Sequence, residues 1–272
     1  MTLQVTTPQV MTETNLAYGP DPRHQLDLYH PVRANGAIIV CLHGGGWWQG
    51  DKSKEEALAT RLAQAGYLVA VPNYRFANGQ TGANLYPTQV CDVLAAIDWL
   101  IANGRAEAGQ SFGAFGASSG GNLALEVAIA RGVPAACWSG LLDLSGFIAR
   151  HGDATPHQVI IDDATPSGQI DQGGVDPGYY KWLLFNLLGP GLERLDQASP
   201  VGRISQATGP VLMANSMTEL VPPEEPVNVA VALVAAGVPA RVLLYEGSRH
   251  GEAYLEDALP ETLRFFAHYL TG

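Results

Sequence analysis

Residues 111–132 read SFGAFGASSGGNLALEVAIARG, and this stretch decides the fold class. A short apolar run comes first, and a segment with apolar residues three and four apart follows it, which predicts a strand that leads into a helix. Between them, Gly116–Gly120 match the pattern G-x-S-x-G, whose glycines allow a sharp, strained turn that lifts the central hydroxyl out of a sheet. We therefore predict that Ser118 is a nucleophile. The alternative is a glycine-rich turn without chemistry.

The same alternation of strand and helix patterns continues along the chain. The candidate strands are residues 25–31, 36–43, 67–75, 111–118, 135–140, 209–216 and 240–247. The candidate helices are residues 54–66, 85–104, 119–132, 222–237 and 255–270. This order predicts an α/β fold in which a mostly parallel central sheet is flanked by helices, and a chain of 272 residues fits a single domain, 1–272.

One interval, residues 141–208, breaks the alternation. It holds a stretch rich in Gly, Pro and Asp and then the apolar segment YYKWLLFNLLG. A connection of this length in a compact domain is usually functional or disordered, so we predict a cap inserted over the edge of the sheet. Its aromatic side chains are candidates for the substrate pocket: Tyr179, Tyr180, Trp182 and Phe185. The alternative is a surface excursion that its aromatic residues tie down.

Composition excludes several classes of function. The chain has 15 Lys and Arg against 26 Asp and Glu, a net charge of −11, which disfavours nucleic acid and anionic membranes as partners. Three scattered cysteines suit buried thiols in a reducing compartment better than disulfides. Residues 1–19 lack the basic start and apolar run of a signal peptide, and no stretch is long enough to span a bilayer. We expect a cytoplasmic protein and leave open whether it is a homodimer.

A second glycine-rich stretch, HGGGWW at residues 43–48, directly follows a candidate strand. Consecutive glycines can point several backbone N–H groups into one concavity, which suits an oxyanion hole. We assign its donors to Gly45, Gly46 and Ser119, and we expect His43 to hold the loop. Trp47 is either a core residue or part of the acyl pocket. A phosphate-binding loop is disfavoured, because neither a Walker pattern nor G-x-G-x-x-G is present.

A histidine follows the last candidate strand, within the residues SRHG. Histidine has an unperturbed pKa of about 6.5 and can therefore act as a general base near neutral pH. Because His250 comes third in an order of nucleophile, acid and histidine, we predict that it is the base. The remaining histidines lack such a setting, and no pair of them has metal-ligand spacing beside a carboxylate, so we expect no metal site.

Taken together, these motifs resemble the α/β-hydrolases of the HGG-motif esterase group, which includes hormone-sensitive-lipase-like carboxylesterases, BD-FAE-type esterases and kynurenine formamidases. The resemblance covers roughly residues 20–140 and 208–270 and rests on LDLYHP, HGGGWW, PNYR, YPTQVCDVLAAIDWL, GASSGGNLA and SRHG. It implies an α/β-hydrolase fold with the cap insertion after the sixth strand. It also implies a cofactor-free catalytic triad that acts on a small-molecule ester or amide.

The resemblance fails at one position. In such enzymes an aspartate follows the strand that is GPVLMANS here, in a segment like D-x-x-V-P, but this chain has Thr218 there. Glu219 is one candidate for the acid, Asp143 after the preceding strand is another, and the acid is absent in a third account. We favour Glu219 because it directly follows the strand. The nearby Glu224 and Glu225 are expected to be surface carboxylates.

Three functions are consistent with these residues. The first is a serine hydrolase that cleaves carboxylic esters of small to medium acyl groups through an acyl-enzyme, with Ser118 as nucleophile, His250 as base and Glu219 as acid. The second is an arylformamidase that hydrolyses an N-formyl aromatic amide. The third is a non-hydrolytic binding or scaffold protein, since a fold alone does not establish activity.

Overall fold

A computed structural model describes residues 10–106, 110–162, 165, 167–169 and 174–272 of the chain. Within these residues the strands are β1 (Met11–Ala17), β2 (Gln25–His30), β3 (Ile38–Leu42), β4 (Leu68–Pro72), β5 (Phe112–Ala117), β6 (Ala135–Trp138), β7 (Val211–Ser216) and β8 (Ala240–Tyr245). The α-helices of the same residues are α1 (Glu56–Gln64), α2 (Thr88–Ala102), α3 (Ser119–Arg131), α4 (Leu144–His151), α5 (Pro177–Leu188), α6 (Leu195–Ala198), α7 (Glu224–Ala235) and α8 (Leu255–Phe266).

The strands form one sheet in the order β1-β2-β4-β3-β5-β6-β7-β8. β2 pairs antiparallel with both β1 and β4, and all the other pairs are parallel. The predicted mostly parallel sheet is therefore confirmed. β4 lies on one side of β3 and β5 lies on its other side, so the strand order reverses between β3 and β5. In open α/β sheets, ligands bind at such a switch point, at the carboxyl ends of the strands.

β1 is absent from the sequence-based assignment. It lies at the edge of the sheet, and none of its side chains is fully buried. Its pairing with β2 shifts register between Glu13 and Leu16, where the backbone N–H of Asn15 donates instead to the carboxylate of Asp27. An exposed edge strand with a bulge has no clear alternation of apolar residues, so its pattern does not indicate a strand.

Helices cover both faces of the sheet and bury its apolar side chains. On one face, α1 and α8 pack against strand residues such as Ile39 and Phe115. On the other face, side chains of α2, α3, α5 and α7 belong to one apolar cluster that includes strand residues such as Val40 and Met213. Because both faces are covered, the central strands are continuous apolar runs, which is why the sequence identified them.

The segment 141–208 follows β6, the sixth strand in chain order, and its role as a cap stays a prediction. Within its described residues lie α4, α5 and α6 and two short 3-10 turns, Ser167–Gln169 and Pro200–Arg203. The polar half of this segment, like residues 1–9 of the chain, falls partly outside the described residues. Asp176 caps α5 by accepting from the backbone N–H of Tyr179 at 3.0 Å, with Pro177 in the first turn.

The three cysteines are unpaired thiols, and two of them, Cys41 and Cys137, are buried as expected. Cys91 differs from the expectation because its side chain is exposed on α2. Among the described residues, no helix combines the length and apolar character needed to cross a bilayer.

Candidate active site

Ser118 occupies a strained turn between β5 and α3. Its backbone has φ 56° and ψ −126°, a conformation that residues with a side chain rarely adopt. The turn is held from both sides: the N–H of Ser118 donates to Trp138 O at 2.8 Å, and its carbonyl accepts from Gly121 N at 2.9 Å. A side chain on Gly120 would collide with the backbone oxygen of Leu42, so only glycine allows α3 to approach β3 this closely.

The glycine loop after β3 lies directly beside Ser118. A Cβ atom on Gly44 would sit 3.3 Å from the Cβ of Ser118. Gly45 has φ 111°, and a side chain there would meet the carbonyl oxygen of Gln49, so the loop requires glycine. Within the described residues, no hydrogen bond is found for the backbone N–H groups of Gly45, Gly46 and Ser119. These three donors are therefore available to an oxygen atom of a ligand.

His43 supports this glycine loop, as expected. Its ring is buried, stacks on Tyr74 with ring centroids 4.2 Å apart, and its Nδ1 lies 2.7 Å from the carbonyl oxygen of Gly44. Burial lowers the pKa of His43 to about 4, so the ring is neutral near pH 7. A neutral, stacked imidazole is suited to supporting the loop.

His250 follows β8, and its loop packs against the turn that carries Ser118. A Cβ atom on the neighbouring Gly251 would lie 3.2 Å from the Cβ of Ala117. The Nδ1 atom of His250 lies 2.5 Å from Oε2 of Glu219, and its Nε2 is buried with no hydrogen-bond partner in the described residues. Because a carboxylate only accepts, Nδ1 carries the proton and Nε2 is left as an acceptor.

Glu219 is fully buried and is oriented by several donors. Its Oε1 accepts from the backbone N–H of Ser216 at 2.6 Å and from the hydroxyl of Ser139 at 2.9 Å. The oxygen of Ser139 also accepts from Gly251 N at 2.8 Å and lies 2.7 Å from the hydroxyl of Tyr254. The carboxylate is thus fixed by groups from β7, from the loop after β6 and from the loop of His250 itself.

The alternative acid, Asp143, and Thr218, which occupies the usual acid position, have other hydrogen-bond partners. Asp143 caps α4 by accepting from Gly146 N at 3.0 Å, and it also accepts from the side-chain amide of Asn228 at 2.8 Å. The hydroxyl of Thr218 donates to the carbonyl of Gly247 at 2.9 Å. The expectation for Glu225 is wrong, because its side chain is buried and accepts from the backbone N–H groups of Leu142 and Asp143.

A pocket of about 630 Å³, part of it open to solvent, joins these groups. It is lined by Ser118, His250 and the glycine loop, and by an apolar wall. That wall consists of Ala117, Ile161, Tyr179 and Leu183. The segment 141–208 therefore supplies three of the four apolar wall residues.

Of the predicted pocket residues, the structure brings Tyr179 to the wall. Trp47 is fully buried in the core, and the hydroxyl of Tyr180 donates to Glu225 at 2.8 Å. Trp182 packs edge-on against Trp48, and Phe185 lies under the ammonium group of Lys181. None of these four residues is among those that line the pocket. Tyr180, Trp182 and Phe185 differ from Tyr179 because successive positions of a helix face different directions, whereas Trp47 lies in the glycine loop after β3.

Two acidic residues in the pocket wall have no counterpart in the sequence analysis. Glu55 and Glu252 are both buried, and both line the pocket beside Ser118 and His250. In the sequence, Glu252 could have been singled out as a site residue because it lies only two residues after His250. Glu55 has no such sequence signal, and it lines the pocket only because the fold brings it there. Among the described residues, no group of three or more His, Cys, Asp or Glu side chains is placed to hold a metal ion.

The comparison with protein families identifies one match: the family model described as BD-FAE covers residues 26–233. Among curated proteins, the chain is similar to isoprenylcysteine alpha-carbonyl methylesterase ICME of Arabidopsis thaliana, with 23% identity over 264 residues, 90% of this chain and 58% of that protein. It is also similar to the probable isoprenylcysteine alpha-carbonyl methylesterase ICMEL2 of the same plant, with 26% identity over 265 residues and the same coverage. The chain thus spans little more than half the length of these relatives.

Solved structures of esterases share the fold. A truncated carbohydrate esterase from gut microbiota superposes with a TM-score of 0.72 and 20% identity, over 96% of this chain and 97% of that one. Carboxyl esterase 2 from Tuber melanosporum gives a TM-score of 0.72 and 19% identity, over 100% of this chain and 88% of that one. At this level of identity the likeness concerns the fold, and it confirms the predicted α/β-hydrolase architecture.

Proposed function

This chain belongs to the BD-FAE family, and from that premise we propose that it is a serine carboxylesterase for esters of small to medium acyl groups. The observation that carries the proposal is the arrangement at His250. Its Nδ1 lies 2.5 Å from Oε2 of the buried Glu219, its Nε2 has no hydrogen-bond partner among the described residues, and His250 lines the same pocket as Ser118. An imidazole that is oriented in this way can accept a proton from a serine hydroxyl.

The reaction follows from these positions. The Oγ atom of Ser118 attacks the ester carbonyl carbon while its proton moves to Nε2 of His250, and Glu219 stabilises the imidazolium that results. The carbonyl oxygen becomes an oxyanion and receives hydrogen bonds from the N–H groups of Gly45, Gly46 and Ser119. The imidazolium then protonates the leaving alkoxide, and an acyl-enzyme remains on Ser118. Water repeats the sequence, releases the acid and restores the hydroxyl.

The strained backbone at Ser118 supports the role of this residue. A non-glycine residue in a rarely populated conformation costs on the order of 1–3 kcal/mol, and such strain is concentrated at functional sites. Ser119, the other serine of the motif, is the first residue of α3, and its side chain is completely buried. Its contribution to the reaction is therefore its backbone N–H.

Acyl size follows from the apolar wall. Tyr179 and Leu183 of α5, together with Ile161, contribute apolar side chains to the pocket wall. Side chains of this kind exclude water and bind an aliphatic acyl group. We expect hydrolysis to be fastest for short and medium chains and to fall for chains that exceed the enclosed space.

A screen of para-nitrophenyl esters from acetate to dodecanoate, together with an N-formyl aromatic amide, tests this proposal. The wild-type chain should hydrolyse the shorter esters, and Ser118→Ala should lose the activity while remaining folded. Faster hydrolysis of the formamide than of every ester would replace the ester class with an arylformamidase. If the chain shows no hydrolysis and no labelling by a fluorophosphonate, it is a non-hydrolytic binding protein.

A further inference from the structure

Two carboxyl groups in the pocket wall take no part in the mechanism above. Glu55 ends the 3-10 turn Lys52–Glu55, which follows the glycine loop, and Glu252 lies in the turn Gly251–Tyr254, which follows His250. Glu55 is 1% exposed and Glu252 is 8% exposed. We refer to these two carboxyl groups as the acidic pair.

The side chains of Glu55 and Glu252 are hydrogen-bonded to each other, but this contact leaves part of the hydrogen-bonding capacity of the acidic pair unused within the described chain. Oε1 of Glu252 is buried and has no hydrogen-bond partner there. For Glu55, the thiol of Cys41 approaches Oε2 at 3.9 Å, which is a weak contact. An unpartnered buried acceptor is costly, and Glu252 lines the pocket together with Ser118 and His250. The pocket therefore presents an acceptor to a ligand rather than to the protein.

The electrostatic setting makes a cation the favoured donor. Burial raises the pKa of both carboxyl groups, and the proximity of Glu252 raises the pKa of Glu55 further. The pair consequently keeps a shared proton to higher pH than ordinary carboxyl groups do. The other ionisable groups near the pair include Lys54 and the imidazole of His250, which line the same pocket, the buried thiol of Cys41, and the phenols of Tyr29 and Tyr74, with which Glu55 interacts electrostatically. Lys54 lowers the pKa of Glu55, but less than Glu252 raises it.

We propose that the acidic pair is a subsite for a primary ammonium group, so that the preferred ester carries one such cation on an apolar body. The inference rests on the proposed function, because it assumes that this pocket binds the ester. An ammonium group supplies N–H donors to Oε1 of Glu252 and a positive charge that offsets the repulsion between the two carboxylates. On binding, the proton held by the pair passes to solvent. A hydroxyl group would supply a donor but would leave the charges unbalanced.

Calorimetric titration of the wild-type chain with benzylammonium and with benzyl alcohol tests the subsite directly. The two probes have nearly the same shape, so the comparison isolates the charge. We expect benzylammonium to bind at least about tenfold more tightly, as charge-assisted hydrogen bonds predict. Titration in buffers with different ionisation enthalpies should reveal release of a proton at the pH values where the pair still holds one. Equal affinity of the two probes, or binding of the ammonium without proton release at any pH, would overturn the proposal.

Isosteric variants assign the effect to the pair. In Glu252→Gln and in Glu55→Gln, the preference for benzylammonium over benzyl alcohol should fall to less than about threefold. Glu256→Gln is the matched control, because this carboxylate lies four residues from Glu252 but is exposed and pairs with Arg61. The control should keep the full preference. A preference that persists in both variants of the pair would contradict the proposal.

A further comparison separates this inference from the proposed function. Binding requires no hydrolysis, so an ammonium preference in the titration of a wild-type chain that hydrolyses no ester would refute the proposed function alone. Hydrolysis of para-ethylphenyl acetate at the same kcat/KM as para-(aminomethyl)phenyl acetate, with no ammonium preference in the titration, would refute the subsite alone. We expect the aminomethyl ester to have the higher kcat/KM and to lose that advantage in Glu252→Gln.

Discussion

Oε2 of Glu219 lies 2.5 Å from Nδ1 of His250, a contact between two loops whose residues are 31 positions apart. The contact fixes the tautomer of the imidazole, since the proton on Nδ1 is held by the carboxylate and Nε2 is left to accept. Glutamate reaches the ring from the position after Thr218, because its side chain is one methylene longer than that of aspartate. We propose that Glu219 thereby takes the place of the aspartate that related enzymes have at the position of Thr218.

Replacing Glu219 by its amide should lower kcat more than replacing Asp143, the alternative acid, by its amide. Glu219→Gln leaves the imidazole without its acceptor and should lower kcat by on the order of 10²-fold or more, since loss of a triad carboxylate in a serine protease costs about 10⁴. Asp143→Asn keeps the cap of α4 and should change kcat by less than about threefold. Steady-state kinetics of the two variants, measured where their folding stabilities are equal, determines which carboxylate acts as the acid. A large loss in the Asp143 variant alone would assign the acid to that loop.

Ser139 is a positioning residue for Glu219, because its hydroxyl donates to Oε1 at 2.9 Å. We expect Ser139→Ala to lower kcat about tenfold, the effect of losing one hydrogen bond of about 1.4 kcal/mol, with KM changed by less than about twofold. Ser145→Ala, which removes a hydroxyl bonded to Asp196 away from the pocket, serves as the control. An unchanged kcat in Ser139→Ala would show that Ser216 N alone orients the carboxylate.

Leu183 limits the pocket and should determine the acyl length. Leu183→Ala enlarges the space beside Gly46 and should shift the best substrate toward longer acyl chains. Leu187→Ala is a matched control, because Leu187 is buried on the same helix but is absent from the pocket wall. Both changes should lower the free energy of unfolding by about 2–5 kcal/mol. The same chain-length profile in both variants would mean that α5 supports the fold without selecting the substrate.

Glu225 should give stability a measurable dependence on pH. Burial raises its pKa from 4.5 to about 7, so the folded chain holds a proton over a range in which the unfolded chain has released it. The contribution of Glu225 to the free energy of unfolding therefore decreases as pH rises through that range, by on the order of 3 kcal/mol in total.

Glu225→Gln removes this dependence. The difference in free energy of unfolding between the variant and the wild type should shift in favour of the variant as pH increases from 4.5 to about 7. Denaturant titrations over that range provide the measurement. Because the acidic pair titrates in both proteins, its effect cancels in the difference. Parallel stability curves would show that the carboxylate form of Glu225 is fully compensated by its hydrogen bonds.

The strongly patterned parts of the chain could be predicted from sequence, and the tertiary contacts could not. Buried parallel strands and the glycine-rich turns after β3 and β5 have local signals, so the fold and the position of Ser118 follow from them. Ser139 carries no such signal. It meets Glu219 across 80 residues of sequence because β6 and β7 are neighbours in the sheet. The register of a sheet brings such pairs together, and no local pattern encodes it.

The aromatic run of α5 shows where composition misleads. Four aromatic residues predicted a pocket wall, but helix geometry distributes them around the axis. Tyr179 and Leu183 are four positions apart and share the face toward the pocket, whereas Tyr180 turns toward Glu225. The spacing of the residues, rather than their aromatic character, decides which side chains line the site.

Peptide mapping after reaction with a fluorophosphonate tests the central claim most directly. The reagent forms a covalent bond only with a serine that a neighbouring base activates, and mass spectrometry locates the adduct. We predict a single adduct on Ser118 in the wild-type chain and in Ser119→Ala, with much slower labelling in Glu219→Gln and none in Ser118→Ala. An adduct on Ser119 or on another residue, or an unlabelled but folded wild-type chain, would contradict the assignment of Ser118 as the nucleophile.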